Sequence, residues 1–279
     1  MRFEKWQALG NDYVILESEP LPFEMSAERV QRICDPHFGV GSDGVLLLSP
    51  AGDERHVAEL RIFNPDGSEA ELSGNGARQA VLYLRRAGWT DADSFTVITK
   101  AGEVRPTIVG PGTVSMQIGR ASLASPDYPS GPPDGTGELE AGGRRWGFRH
   151  VNVGNPQCVI DAGNEVEDLD LGAIGPAIER SELFPNRTNV SFVRIDGSRL
   201  RARIFERGVG ETLSSGTGAS GAAVAAHLRG SASPIAVELD GGELEVSVSE
   251  DLDVTLTGTA EPILAGELSP EFIEALKRL

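Results

Sequence analysis

The sequence predicts a mixed α/β (α+β) protein of two pseudo-symmetric halves, each a curved, mainly antiparallel sheet around a central helix. Three observations predict this fold. A long stretch that begins at Arg61 recurs from Arg203. Each copy passes from a strand pattern through a glycine turn into a helix of small apolar residues. Segments near the end of the chain (AVELD, LEVSVS and DVTLTG) alternate between apolar and polar residues, as antiparallel strands do.

The repeat is the main sign of two halves. RIFNPDGSEAELSGNGARQAVLYL begins at Arg61 and RIFERGVGETLSSGTGASGAAVAA at Arg203, an offset of 203 − 61 = 142 residues. A Gly-Asn pair recurs at 154 − 10 = 144, and HFGVGSDGVLLLS has a counterpart in FPNRTNVSFV at 184 − 38 = 146. Three offsets this similar indicate a gene duplication and a pseudo-two-fold molecule.

The N-terminal half is assigned to residues 1–120, joined by a C-terminal helix of about residues 263–279. RFEKWQALGNDYVIL predicts two strands around a turn, and Ser26 predicts the N-cap of a helix that runs to about Ile33. A glycine-rich turn from His37 leads into a buried strand. Leu60–Phe63 is the strand that precedes the first glycine turn and its helix.

The C-terminal half is assigned to residues 121–262. Its first segment, Ala121–Gly137, is rich in Pro, Gly, Ser and Asp, which predicts an exposed linker or an elaborated hairpin connection. A helix follows near Leu171–Arg180, then the strand Ala202–Phe205 and the second glycine turn with its helix. The chain closes with a short helix capped by Ser269, with proline at its first position.

Composition narrows the class of protein. The 279 residues are 39% hydrophobic and carry a net charge of −17, which disfavours nucleic acid as a partner. The sequence has no bilayer-length apolar run and no signal-peptide core, so we expect a cytoplasmic protein without a membrane partner. Cys34 and Cys158 lack metal-ligand spacing and a partner motif, so no disulfide framework or metal site is predicted.

Two Ser-Gly-x-Gly turns are the strongest functional signal. Bare N–H groups and the positive end of a helix favour an anion there, and two matched copies favour one carboxylate held from two sides. GVGSDG from Gly39 formally fits a dinucleotide signature, but a strand follows where that signature needs a helix, which favours an ordinary turn. Four asparagines lie in matched loops, and Arg207 is a candidate carboxylate clamp; the asparagines are Asn11, Asn64, Asn155 and Asn189.

Taken together, these motifs resemble diaminopimelate epimerase, an enzyme family of lysine and peptidoglycan-precursor biosynthesis that uses no pyridoxal phosphate or other cofactor. The resemblance covers nearly the whole chain through LGNDYVIL, HFGVGSDGVLLL, RIFNPDGSEAELSGNGAR, VNVGNP, PNRTNVSFV and ERGVGETLSSGTGA. It implies the epimerase fold, with a small amino-acid substrate at the junction of the halves. It also implies two-base proton transfer that interconverts LL- and meso-diaminopimelate. The oligomeric state is left open, with a homodimer as one option.

The resemblance also implies residue roles. Ser73 and Ser215 occupy the two acid/base positions and would face each other across the substrate. The reacting carboxylate would lie on the turns Gly74-Asn75 and Gly216-Thr217. The residues expected to read the distal end of the substrate are Asn64, Asn155, Asn189, Glu206 and Arg207, and Asn11 would line the pocket.

Serine at both acid/base positions departs from the family, which has cysteine there. A thiol has a reference pKa of about 8.5, whereas the pKa of bulk water, closer to that of a hydroxyl, is about 15.7. At roughly 1.4 kcal/mol per pKa unit, alkoxide formation adds on the order of several kcal/mol to the barrier. We therefore expect a slow or altered enzyme. Further departures at Gln79, Gln157 and Ser220 favour natural divergence over an engineered substrate trap.

Two other functions stay open from the sequence. Relatives of the fold that dehydrate hydroxyproline carry threonine at one base position, so a lyase acting on a hydroxylated amino acid is the first. The second is a catalytically silent homologue that binds an amino acid but has lost its bases. An isomerase acting on diaminopimelate is preferred because all the residues expected at the distal end of the substrate are present.

Overall fold

The chain divides into two units, each built on one β-sheet with helices against it. The computed structural model describes residues 1–19 and 21–279. The first unit contains Met1–Met116 and Gly258–Leu279, and the second contains Gln117–Thr257. Each unit is described by itself below.

The elements of the chain up to residue 120 are β1 (Arg2–Ala8), β2 (Asn11–Glu17), α1 (Ala27–Cys34), β3 (Val45–Pro50), β4 (Ala58–Phe63), β5 (Glu69–Ala70), α2 (Gly74–Arg86), β6 (Val97–Thr99), β7 (Gly102–Val104), β8 (Thr107–Gly110) and β9 (Thr113–Arg120). The later elements are β10 (Thr136–Ala141), β11 (Arg144–Asn152), β12 (Pro156–Asp161), a 3₁₀ helix (Gly163–Glu167), α3 (Leu171–Glu179), β13 (Asn189–Asp196), β14 (Arg199–Glu206), β15 (Gly210–Thr212), α4 (Gly216–His227), β16 (Ile235–Leu239), β17 (Gly242–Val248), β18 (Asp253–Thr259), β19 (Glu261–Glu267) and α5 (Pro270–Lys277). The capped helices predicted after Ser26 and Ser269 are both confirmed.

The two units repeat one strand topology. In the first unit the sheet order is β19-β1-β2-β3-β4-β6-β7, with β5 paired to β4. In the second unit it is β10-β11-β12-β13-β14-β16-β17-β18, with β15 paired to β14. The pairs β2–β3 and β4–β6 are parallel in the first unit, and β12–β13 and β14–β16 are parallel in the second. Two sheets with the same order and the same parallel steps support the predicted duplication.

Side chains repeat as well as strands. Arg61 Nε donates to Glu69 Oε1 at 3.0 Å, from β4 to β5. Arg203 Nε donates to Glu211 Oε1 at 2.8 Å, from β14 to β15. These four residues are identical in the sequence repeat, so the same ion pair holds the same short strand in each unit.

Each long helix lies on its sheet with buried small residues. Ala77, Ala80 and Val81 of α2 pack in a buried cluster with Leu46 and Ile62 of the sheet. Helix α4 approaches its sheet even more closely. A Cβ at Gly218 would lie 2.6 Å from Ile204 Cδ1, so a larger residue would push the helix away. Because each helix packs tightly on its sheet, the position of the glycine turn at the start of that helix is fixed.

The proline- and glycine-rich segment from Ala121 differs from its prediction. It does not connect a hairpin, because β10 pairs with β11 rather than with β9. It is also only partly exposed: Tyr128 is 7% exposed and its ring contacts the rings of Phe148 and Phe184. One aromatic residue anchors this segment to the core of the second unit, which a count of prolines and glycines does not reveal.

Candidate active site

Two serines cap the helices that follow the glycine turns. Ser73 Oγ accepts a hydrogen bond from Gly76 N at 3.0 Å, and Ser215 Oγ accepts one from Gly218 N at 3.2 Å. Their backbones are alike, with φ −131° and ψ 120° at Ser73 and φ −142° and ψ 118° at Ser215. Both are N-caps, so each hydroxyl lies at the positive end of its helix, where negative charge is stabilised.

We group the predicted site residues by the unit that carries them and call each group a half-site. The first half-site, in the first unit, is Asn11, Asn64, Ser73, Gly74 and Asn75. The second half-site, in the second unit, is Asn155, Asn189, Glu206, Arg207, Ser215, Gly216 and Thr217. All of these residues were predicted from the sequence as site residues.

A matched contact joins each glycine turn to a loop asparagine. In the first half-site, Asn75 Nδ2 donates to Asn11 Oδ1 at 3.3 Å. In the second, Asn155 Nδ2 donates to Thr217 Oγ1 at 3.2 Å. The Gly-Asn pairs of the sequence repeat therefore take the same place beside their helices. Each glycine before these asparagines has a positive φ (83° at residue 10 and 96° at residue 154), which favours glycine.

Buried glutamines support both asparagine loops. Gln79 Nε2 donates to Asn11 O at 3.0 Å, and Gln157 Nε2 donates to Asn155 Oδ1 at 2.6 Å. Both glutamine side chains are fully buried. An amide does not ionise at ordinary pH, so these two positions orient their neighbours and supply no acid or base.

The two serine hydroxyls have different neighbours. Tyr13 Oη donates to Ser73 Oγ at 3.4 Å in the first half-site. In the second, Thr212 Oγ1 donates to Glu206 Oε1 at 2.9 Å, and the Ser215 hydroxyl lies close enough to lower the pKa of the same carboxyl group. Burial raises the pKa of Glu206, and the two hydroxyl groups offset part of that rise. Ser215 thus has a proton acceptor beside it, and Ser73 has a hydroxyl donor.

Asn189 and Glu179 hold the loop that carries Arg207. Asn189 is 4% exposed; its Oδ1 accepts from Arg207 N at 2.8 Å and its Nδ2 donates to Pro156 O at 3.1 Å. Glu179, 2% exposed, accepts from Gly208 N at 2.8 Å. The Arg207 guanidinium donates to Asn186 O at 3.0 Å. Asn189 therefore uses both ends of its amide inside the protein, which suits a role in fixing the loop.

Asn64 and Asn11 are fixed by neighbouring loops. Asn64 Nδ2 donates to Ser68 Oγ at 3.0 Å, within the turn that leads to β5. Asn11 Nδ2 donates to Asp43 Oδ2 at 3.1 Å. Asp43 belongs to the GVGSDG segment, which leads into β3, so this segment braces Asn11 and has no helix to receive a dinucleotide.

Several contributing residues were not assigned from the sequence. Tyr13 and Asp43 lie in motifs that were noticed but given no role. Tyr13 follows Asn11 by two residues, which could have signalled it, whereas Asp43 meets Asn11 only through the fold. Thr212 lies three residues before Ser215, on β15. Glu179 is the last residue of α3, and nothing in its sequence context distinguishes it from an exposed helix-end charge.

Neither cysteine is suited to act as a low-pKa base. Both thiols are free and buried. Burial raises the pKa of Cys158, and burial together with the carboxylates of Asp12 and Asp43 raises that of Cys34, which a hydrogen bond with Ser42 offsets in part. The hydroxyl groups of the two N-caps are thus the groups at the predicted acid/base positions.

Residues 1–19 and 21–279 contain no cluster of three His, Cys, Asp or Glu side chains placed to hold a metal ion. None of the helices in the same range combines the length and apolar content of a bilayer span.

Comparison with known proteins identifies relatives over nearly the whole chain. The family model for diaminopimelate epimerase matches residues 3–124 and 149–263. Diaminopimelate epimerase of Synechococcus sp. (strain JA-3-3Ab) is 39% identical over 95% of this chain and 97% of that protein. Diaminopimelate epimerase 2 of Nostoc sp. (strain PCC 7120) is 40% identical over 97% and 96%. A chloroplastic diaminopimelate epimerase of Oryza sativa subsp. japonica is 37% identical over 95% and 79%.

Solved structures share the fold at low sequence identity. A predicted epimerase from Pseudomonas aeruginosa has a TM-score of 0.66 at 19% identity, over 96% of this chain and 98% of that one. A hydroxyproline epimerase from Agrobacterium vitis, solved with trans-4-hydroxy-L-proline, has a TM-score of 0.66 at 17% identity, over 95% and 91%. The fold class predicted from the sequence is confirmed.

Proposed function

The chain belongs to the diaminopimelate epimerase family of isomerases, and we propose that it interconverts LL- and meso-diaminopimelate by two-base proton transfer, without a cofactor. The observation that carries this proposal is the pair of matched half-sites, each with an N-capping hydroxyl and a glycine turn. The first N–H groups of a helix have no partner within the helix and can bind a carboxylate. One substrate molecule is proposed to use both half-sites. The cytoplasmic location of the protein and its assembly as a homodimer remain predictions.

The different neighbours of the serines suggest how hydroxyl groups serve as acid and base. Ser215 Oγ takes the α-proton of the substrate while its own proton passes to Glu206. Ser73 donates its hydroxyl proton to the opposite face of the α-carbon, and Tyr13 stabilises the resulting oxyanion with its hydrogen bond. Transfer of a proton from Glu206 back to Ser73 through solvent resets the site. A partly buried carboxylate with a raised pKa is a better proton acceptor than an ordinary one, which offsets part of the cost of replacing a thiol.

Proton exchange in deuterated water tests the proposal. Diaminopimelate is incubated with the enzyme at high loading, and α-deuterium is followed by mass spectrometry. We expect slow exchange in the unsubstituted protein, loss of exchange from the LL isomer in S215A, loss of LL–meso interconversion in S73A, and faster exchange in S73C/S215C. Absence of exchange in both the unsubstituted protein and the double cysteine variant would overturn the proposal.

A capping serine outside the half-sites provides the matched control. Ser269 caps α5 as Ser73 caps α2, with Phe272 N donating to Ser269 Oγ at 3.1 Å. Loss of an N-cap costs about 1 kcal/mol of stability, so S269A should lose stability like S73A but keep exchange.

Two other results would identify the alternatives: a keto acid formed from a hydroxylated amino acid indicates a lyase, and tight binding without exchange indicates a silent homologue. Calorimetry should give one substrate per chain.

A further inference from the structure

Arg78 is a buried cation directly beneath the first glycine turn. It lies on the second turn of α2 and is 0% exposed. Its guanidinium donates to Asn75 Oδ1 at 2.7 Å, to Gly74 O at 3.3 Å and to Thr259 O at 3.3 Å. All three acceptors are neutral oxygens, and two of them belong to the turn itself.

No carboxylate balances this charge within residues 1–19 and 21–279, where none of the ion pairs includes Arg78. The contrast is Arg201, which is 9% exposed and pairs with both Glu167 and Asp240. A buried charge without a partner is unfavourable, and burial lowers the pKa of Arg78 to about 10. An anion bound at the adjacent glycine turn would supply the missing negative charge.

The contact with Asn75 also sets the direction of that side chain. Because Asn75 Oδ1 accepts from Arg78, its Nδ2 group is directed to the other side, where it donates to Asn11 Oδ1. The Asn75 side chain is therefore held at both ends, its oxygen by Arg78 and its nitrogen by Asn11. In the second unit, the matched position (78 + 142 = 220) is Ser220, whose hydroxyl donates to Gly216 O at 2.8 Å. The buried cation belongs to only one of the two turns.

We propose that Arg78 is a positioning residue for carboxylate binding: it fixes the Gly74-Asn75 turn through its hydrogen bonds and supplies the charge that the bound carboxylate balances. The first glycine turn is thus the stronger carboxylate site of the two. This inference rests on the proposed function only in taking the Gly74-Asn75 turn as the place of the substrate carboxylate. It predicts that affinity depends on charge at position 78, whether or not the bound acid reacts.

Charge and hydrogen bonding at position 78 are separated by two variants. R78K keeps the charge with a different donor geometry, and R78Q keeps amide donors without the charge. Calorimetry measures the Kd for diaminopimelate and for pimelate, which has the two carboxylates but no amino groups. We expect the Kd of both to rise about tenfold or more in R78Q, the size of losing one nearby unit charge, and to change much less in R78K. R85Q, which removes a half-buried arginine near the other end of the same helix, is the control and should bind normally.

Urea unfolding of each variant separates binding from folding. If R78K and R78Q lose stability alike and bind both acids with the Kd of the unsubstituted protein, Arg78 is only structural and the inference fails, while the epimerase proposal stands. If diaminopimelate shows no α-exchange but R78Q still weakens pimelate binding, the inference holds and the epimerase proposal fails. An unsubstituted protein that binds neither acid overturns both. If R78Q does not fold, R78K and R85Q are compared instead. The inference then requires R78K to bind diaminopimelate and pimelate about as tightly as R85Q does.

Discussion

Identical residues gain different chemistry from their neighbours in this protein. Ser73 and Ser215 have the same N-cap conformation and the same helix dipole behind them, so neither feature can make one a base and the other an acid. The difference comes from the next side chain: a tyrosine hydroxyl beside Ser73 and a partly buried carboxylate beside Ser215. The direction of proton transfer that we propose therefore depends on Glu206.

Replacing Glu206 should expose a conflict between stability and function. Because the folded-state pKa of Glu206 is raised, its ionised form is disfavoured by folding, and this penalty is present at pH 7. The penalty disappears as the pH falls through the raised pKa, because the carboxyl group is then protonated in the folded protein. We expect E206Q to have a higher free energy of unfolding than the unsubstituted protein at pH 7, and this gain should shrink toward pH 4. The same variant should show no α-exchange.

Urea unfolding at the two pH values measures this difference. E245Q, which changes an exposed glutamate on β17, is the control and should show little gain at either pH. A gain for E206Q that is the same at pH 4 and pH 7 would mean that the ionisation of Glu206 is not its cause.

At the scale of elements, the loop between β14 and β15 depends on groups from α3 and β13. Glu179 and Asn189 each accept one backbone N–H group from it, those of Gly208 and Arg207 respectively. A hydrogen bond to a charged group contributes about 1.5–3 kcal/mol. In E179A we therefore expect hydrogen exchange at the Gly208 amide to accelerate roughly tenfold or more, with weaker binding of diaminopimelate.

Amide exchange followed by NMR checks this directly. E167Q is the control, because Glu167 pairs with Arg201 on β14 and not with the Arg207–Gly208 loop. If E179A and E167Q leave the Gly208 amide equally protected, the loop is held by other contacts. A double variant with R207A separates the effects further: if Glu179 acts through the loop, E179A should add little to the loss of binding that R207A causes.

The sequence repeat predicts the elements well because duplication acts on whole segments. In the alignment of the repeat, Arg61 corresponds to Arg203 and Glu69 to Glu211. A contact between two such residues in the first unit therefore implies the same contact in the second. Contacts that lack a repeat could not be predicted in this way. Glu179 is such a case, since its burial depends on how α3 packs rather than on its neighbours in sequence.

At the scale of the whole molecule, the sequence predicts the fold class but not the burial of single residues in irregular segments. Alternating patterns and glycine turns indicate strands and helices, and their order then follows from the duplication. The burial of single residues in irregular segments depends on tertiary packing, as Tyr128 shows in a stretch of prolines and glycines. The burial of Arg78 without a carboxylate is equally hidden, because a sequence motif lists residues but not the charges around them.

Net charge gives a prediction for the molecule as a whole. With 42 acidic and 25 basic residues, the chain carries −17, and like charges on a folded surface repel one another more than in the expanded unfolded chain. Salt shortens the range of this repulsion from about 10 Å at 0.1 M to about 3 Å at 1 M. We therefore expect the urea midpoint of unfolding to rise with potassium chloride over this range.

A charge-reduced variant separates screening from other effects of salt. Glu54, Glu245 and Glu250 are exposed, and E54K/E245K/E250K changes the net charge to −17 + 6 = −11. We expect this variant to be more stable at 0.1 M salt and to gain less from added salt, because less repulsion remains to be screened. Equal salt dependence in the two proteins would show that potassium chloride acts through general solvation instead. The surface charge would then have no measurable role in the stability of this fold.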